Sequence, residues 1–174
     1  VRAHNFRGSF HGLVSGFVIQ NFNALLLQFT ILATFIPMLS DTGGNTGSQA
    51  ATLVIRALAL REVSAKDTLK ILWKELKVSL LLGVLLGVLA YARVILMGVG
   101  SSMPEDCSLN TIGIAVACAL AIQVLTSTLA GAALPLAASK LKLDPAVVAS
   151  PVLTSVVDIT GVLIYFTTVK LILG

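Results

Sequence analysis

Apolar and polar positions along this chain fall into long blocks, and the blocks have the lengths of membrane-crossing helices. Five of them stand out, at residues 5–22, 24–60, 70–97, 109–138 and 145–173. A helix needs ~20 mainly apolar residues to cross a hydrocarbon layer ~30 Å thick, and most of these blocks reach that length. None shows the two-residue alternation of a transmembrane β-barrel, so the spanning elements are helices. The pattern predicts an all-α integral membrane bundle of five transmembrane helices, forming a single transmembrane domain over residues 1–174.

Two blocks are irregular. Residues 5–22 are interrupted by Arg7, His11 and several Gly and Ser, and read either as a short, polar-faced first span or as a helix lying in the interface. The span reading keeps the positive loops on one side. The second block is apolar at residues 24–40 and again at 50–60, but residues 41–49 run Asp-Thr-Gly-Gly-Asn-Thr-Gly-Ser-Gln. Adjacent glycines beside Asn and Thr favour an opened helix, so the second helix is expected to be broken at 41–49. Carbonyls exposed in such a break are good ligands for a hard cation or its water shell. The plainer alternative is that Gly43, Gly44 and Gly47 let another helix pack closely.

Composition fixes the class. The 174 residues are 56% hydrophobic and only 11% charged, with a mean hydropathy of +0.96, whereas soluble domains carry about 25% charged residues. The formal net charge of +4 is no nucleic-acid signal here, because the basic residues collect at helix ends. Arg2 and Arg7, then the stretch from Arg56 to Lys77, then Lys140 and Lys142 fall on one side, while Arg93 and Lys170 approach the other. The positive side is cytoplasmic, which puts the amino terminus inside the cell membrane and the carboxyl terminus outside. Trp73 reads as an interfacial anchor in the basic amphipathic stretch 61–77. The first residues do not read as a cleavable signal peptide.

Chemistry narrows to one carboxylate. Asp158 sits about 20 Å into the last block at ~1.5 Å per residue, close to mid-membrane. Placing it there costs at least ~2.5–3.5 kcal/mol, so it should meet a cavity, a partner group or a cation. Helical spacing puts Pro151, Thr154, Asp158, Gly161 and Tyr165 on one face. A structural carboxylate bonded to a neighbouring helix is the bland alternative. The fourth block adds a polar stripe of Gln123, Thr126, Ser127, Thr128, Gly131 and Pro135. Soft ligands do not cluster: His4 and His11 read as headgroup or packing residues, and Cys107 and Cys118 give neither a zinc nor a disulfide pattern.

These residues carry a resemblance. The run from Pro37 to Ala59, centred on Gly43-Gly44-Asn45-Thr46-Gly47-Ser48-Gln49, resembles the signature of the MgtE family of magnesium channels and transporters. Leu129-Ala130-Gly131-Ala132-Ala133-Leu134-Pro135 is similar to that family's fourth helix. Leu143-Asp144-Pro145-Ala146 and Asp158-Ile159-Thr160-Gly161-Val162-Leu163-Ile164-Tyr165 are similar to its last. The likeness extends from about Gln20 to the end. It implies a homodimer of five-helix protomers with one cation path along the twofold axis, and an aspartate of the last helix, here Asp158, holding hydrated Mg²⁺. Ser150 and Thr128 stand where familiar members have Asn, and Asp41 replaces a small residue, so oxygen ligands remain while selectivity is open. The family's cytoplasmic regulatory part, an amino-terminal domain with paired CBS domains, is expected to be separate or removed.

The candidate ion-binding set is therefore Asp158, Thr154, Ser150, Gly43, Gly44, Asn45 and Asp41. Mg²⁺ dehydrates reluctantly and prefers oxygen ligands, and two Asp158 carboxylates across a twofold axis would match its charge. The first functional expectation is transmembrane transport of divalent cations, best fitted by Mg²⁺ uptake through a channel-like pore at a homodimer interface. The alternative is a proton- or sodium-coupled cation carrier using Asp158 and Asp41. An enzyme is not expected, since no nucleophile with its base, phosphate loop or cofactor fingerprint is present. Membrane lipid, divalent cations and a second copy are the expected partners, and nucleic acid is not.

Overall fold

The computed structural model describes residues 30–98 and 108–174. The expected first span, 5–22, lies outside the described residues, as do Glu105, Asp106 and Cys107. Every element described is helical. A 3₁₀ stretch, Thr30–Phe35, runs directly into α1 (Ile36–Ala59), followed by a 3₁₀ turn (Ala65–Asp67), α2 (Thr68–Gly98), α3 (Leu109–Lys140) and α4 (Pro145–Leu173). The helices from α2 onward are each long and apolar enough to cross a membrane. At 24 residues α1 is of spanning length too, but its middle is polar.

The ends are set by local chemistry. Past α1, Arg61 adopts φ 56° while its N–H bonds the Leu58 carbonyl at 3.1 Å and the Glu62 N–H bonds the Ala57 carbonyl at 3.0 Å. This paired closure absorbs carbonyls that the helix end leaves without partners. Lys142 repeats it after α3, at φ 57°. Ser64 and Asp67 then form a reciprocal cap, the Ser64 N–H donating to the Asp67 carboxylate at 2.9 Å and the Lys66 N–H to the Ser64 hydroxyl at 3.3 Å. Asp144 accepts from the Ala146 N–H at 2.9 Å and precedes Pro145, so α4 starts sharply.

Packing places α3 at the centre, in contact with each of the other three helices. Small residues let the backbones approach. On α2, Ser79, Gly83, Gly87 and Ala90 form the buried stripe; a Cβ on Gly83 would lie 3.2 Å from the Ala121 carbonyl, and one on Gly87 3.2 Å from that of Ala117. These pairings make α2 and α3 antiparallel. Opposite that stripe, α2 exposes Leu81, Val84, Leu85, Val88 and Leu89, as a lipid-facing surface would. One end of the bundle is filled by Leu32, Phe35 and Leu39 with Val94, Ile112, Val116, Tyr165 and Phe166.

The structure corrects the expected break in the second helix. Residues 41–49 are helical throughout. Gly43 and Gly47, though not Gly44, are used for contact, the alternative reading of the sequence: a Cβ at Gly43 would sit 3.1 Å from the Val157 side chain, and one at Gly47 would sit 3.0 Å from the Ser127 carbonyl. Thr46 also returns its hydroxyl to the carbonyls of Thr42, at 3.0 Å, and Gly43, at 3.2 Å. An interior glycine costs a helix roughly 0.5–1 kcal/mol, and here close backbone packing offsets that cost.

Candidate ion-binding site

Three helices meet near their midpoints around buried polar groups. α1 and α3 run parallel, and α4 runs antiparallel to both, so Thr46, Gln123 and Asp158 come to a similar level. The Thr46 and Ser127 hydroxyls are 2.8 Å apart in a buried contact. Ser127 also donates to the Val124 carbonyl at 3.2 Å. Gln123, fully buried, donates from Nε2 to the Val157 carbonyl of α4 at 3.3 Å. The Gln123 Oε1 and Thr128 Oγ1 atoms are buried with no hydrogen-bond partner among the described residues. Pro135 removes the N–H that would have met the Gly131 carbonyl, and Gly131 itself packs against the Gly47 backbone.

The polar stripe read on the fourth block therefore points into the bundle: Gln123, Ser127, Thr128, Gly131 and Pro135 are buried. The face of α4 chosen from its spacing is graded along its length. Pro151 and Thr154 are exposed, Asp158 is half-buried, and Gly161 and Tyr165 are buried. Asp158 thus marks the point where this face passes from open to packed. The Ser155 hydroxyl returns to the Pro151 carbonyl at 2.9 Å, and the Thr160 hydroxyl to the Val156 carbonyl at 2.7 Å.

On α1 the candidates separate. Gly43 is buried in the seam with α3 and α4, whereas Gly44 is half-buried with open space where its side chain would be. Asp41 and Asn45 lie on the opposite, exposed face, in one helical stripe with Ser48, Gln49 and Thr52. Ser150 falls in the second turn of α4, and its side chain lies outside the described set. Because Gly43 and Gly44 sit within a regular helix, their carbonyls face along its axis, away from the open position a break would have given. Among the described residues no three of His, Cys, Asp and Glu gather around one point. Sequence reasoning had not given Gln123 or Thr46 a role at the site. The signal was an amide in the apolar middle of a helix together with glycines on the helices facing it.

A bundle of long apolar helices, with amide and hydroxyl groups at mid-depth and a carboxylate at the edge of its packed half, defines a multi-pass membrane protein with a polar centre. Comparison with known proteins gives the family. Residues 36–168 match the family model described as MgtE, divalent cation transporter, and the chain belongs to that family. It is 38% identical to the magnesium transporter MgtE of Thermus thermophilus, over 93% of this chain and 34% of that protein. The corresponding protein of Bacillus subtilis is 35% identical over 90% of this chain and 33% of its own length. That of Enterococcus faecalis is 32% identical, again over 90% and 33%. The chain thus spans about a third of the length of the relatives it matches.

Proposed function

We propose that this chain forms the transmembrane path of a magnesium transporter, in which two copies bring their Asp158 carboxylates to one hydrated Mg²⁺. The observation that carries this reading is the exposed polar stripe Asp41, Asn45, Ser48, Gln49 and Thr52 on α1, in a bundle whose α4 carries the half-buried Asp158 at mid-depth. Polar groups facing hydrocarbon without partners each cost several kcal/mol, so such a stripe belongs against water or a second protein surface. A twofold arrangement provides both, since α1 from each copy can wall one wet path.

Charge then selects the cargo. One carboxylate per copy gives two negative charges for a divalent ion, and hydroxyls and amides hold its water rather than replace it, which suits an ion that dehydrates reluctantly. The relatives are named as magnesium transporters, which agrees. For a doubly charged ion a potential of 100 mV supplies about 4.6 kcal/mol, enough for inward flow without a coupled ion. The full topology we propose has five spans, the first within residues 5–22, with the Arg56–Lys77 and Lys140–Lys142 ends cytoplasmic, the amino terminus inside and the carboxyl terminus outside.

The test is Mg²⁺ influx into liposomes carrying the reconstituted full chain, under a membrane potential with no proton or sodium gradient. Influx that persists and scales with the potential supports the channel-like path. Influx that appears only with a proton or sodium gradient would replace it with a coupled carrier.

A further inference from the structure

The amide of Gln123 occupies a slot built from two glycines on two different helices. A Cβ on Gly43 of α1 would lie 2.5 Å from Nε2 and 3.1 Å from Cγ of Gln123. One on Gly161 of α4 would lie 2.6 Å from the same Nε2 and 3.2 Å from Cδ. Neither position admits even alanine without moving the amide, because a Cβ does not come within 3.0 Å of another packed heavy atom. Within the slot Nε2 reaches the Val157 carbonyl at 3.3 Å, and this carbonyl belongs to the peptide that joins Val157 to Asp158. Thr160 ties the preceding carbonyl, that of Val156, at 2.7 Å, and approaches the Val157 carbonyl at 3.4 Å.

We infer that Gln123 is a positioning residue for Asp158: its amide, admitted by Gly43 and Gly161, fixes the α4 backbone at the Val157–Asp158 peptide and so sets how tightly the carboxylate holds the ion. The spacing Asp158-x-Thr160-Gly161 then has a physical reason. Thr160 anchors the helix backbone one residue before the Val157 carbonyl, and Gly161 leaves space for the amide that holds that carbonyl. The geometry also accounts for a buried amide in an apolar helix, since a glutamine serving as packing alone would leave both its polar ends without partners. This inference rests on the proposed role of Asp158 as the ion-holding group.

The test uses the full chain in liposomes and separates the Mg²⁺ half-saturation concentration from the maximal rate. Gln123→Met keeps the length of the side chain and removes the donor; it should raise half-saturation about tenfold, the scale of one lost buried hydrogen bond, with the maximal rate within about twofold. Gly161→Ala, which strikes the amide, should give a similar rise. The double variant Gln123→Ala with Gly161→Ala should be no worse than Gly161→Ala alone, because the group that the new methyl strikes is gone. Penalties that multiply in the double variant, or half-saturation unchanged in both single variants, would overturn the inference. Asp158→Ala runs alongside: if it abolishes uptake while the Gln123 and Gly161 variants bind Mg²⁺ normally, only the positioning role fails. If it leaves uptake intact, the proposed function fails, and this inference with it.

Discussion

The hydroxyl of Tyr165, in the second half of α4, donates a buried 2.8 Å hydrogen bond to the carbonyl of Leu32, 133 residues earlier, in the 3₁₀ stretch that leads into α1. Tyr165 is 1% exposed and packs in the cluster with Phe35, Phe166 and Val169. The contact joins the start of α1 to α4 one turn beyond Gly161, and so holds the packed half of the Asp158 face closed.

Tyr165→Phe keeps the ring and leaves the Leu32 carbonyl without its side-chain donor. We expect a loss of about 0.5–1.5 kcal/mol in stability, with the fold retained. Thermal or denaturant unfolding in detergent checks this. A variant as stable as the parent would show that the bond contributes nothing.

Thr46 and Ser127 offer a second measurement between helices. Hydrogen bonds between membrane helices average only about 0.6 kcal/mol, because the unfolded chain in the membrane also finds partners. A double-mutant cycle with Thr46→Val and Ser127→Ala should therefore give a coupling of roughly 0.5–1 kcal/mol. Zero coupling would mean that the 2.8 Å contact is only proximity.

The Gly47–Gly131 crossing should be far less tolerant. Here two backbones touch, and a side chain on Gly131 would run into the Gly47 carbonyl. Gly131→Leu is expected to separate α1 from α3 and to cost at least ~3 kcal/mol, seen as loss of monodisperse protein. Gly44→Ala is the internal contrast, because nothing lies within 4 Å of the position its Cβ would take. Full yield and stability are expected for it.

Much of this arrangement was legible in the sequence, and one part was misread. The apolar blocks fix α3 and α4 almost to the residue, because Ser108, Asp144-Pro145 and the charged Lys140–Lys142 end act as local stop and start signals. Asp158 stood out because an isolated carboxylate in an apolar helix is costly wherever it faces. The break at residues 41–49 was misjudged because glycine's cost to a helix is local, while its benefit is not. Gly43 gains from contacts with Gln123 and Val157 and Gly47 from contact with Ser127, between 80 and 114 residues away in sequence, which no local window contains. Gln123 was visible only as part of a polar stripe, since its slot is assembled from both neighbouring helices.

At the other end of the bundle, Asp67 has its carboxyl held below the usual value of 3.8, chiefly by the Ser64 backbone N–H and then by the Ser64 hydroxyl. A carboxyl whose folded value is depressed stabilises its surroundings above the unfolded value, and that contribution is lost as pH falls through the folded value. The turn between α1 and α2 should therefore be intact at neutral pH and loosen only in acid below 3.8. The Ser64 amide resonance followed against pH reads this directly, and Asp67→Asn should abolish the titration. A midpoint above 3.8 would reverse the sign.

Asp41 separates the exposed stripe from the central carboxylate. It lies on the open face of α1. Asp41→Ala is expected to lower Mg²⁺ uptake by about twofold to fivefold through loss of local cation attraction, without abolishing it. Complete loss would make Asp41 a second ion-holding group and favour the relay of a coupled carrier.

The most direct measurement is potential-driven Mg²⁺ uptake by liposomes containing Asp158→Asn, at protein levels and oligomeric state matched to the parent. Asparagine preserves shape and removes one negative charge per copy. The account expects uptake to fall by at least about a hundredfold, because the pair of charges facing a divalent ion is gone. Uptake at the parent rate would place the ion elsewhere and contradict the account.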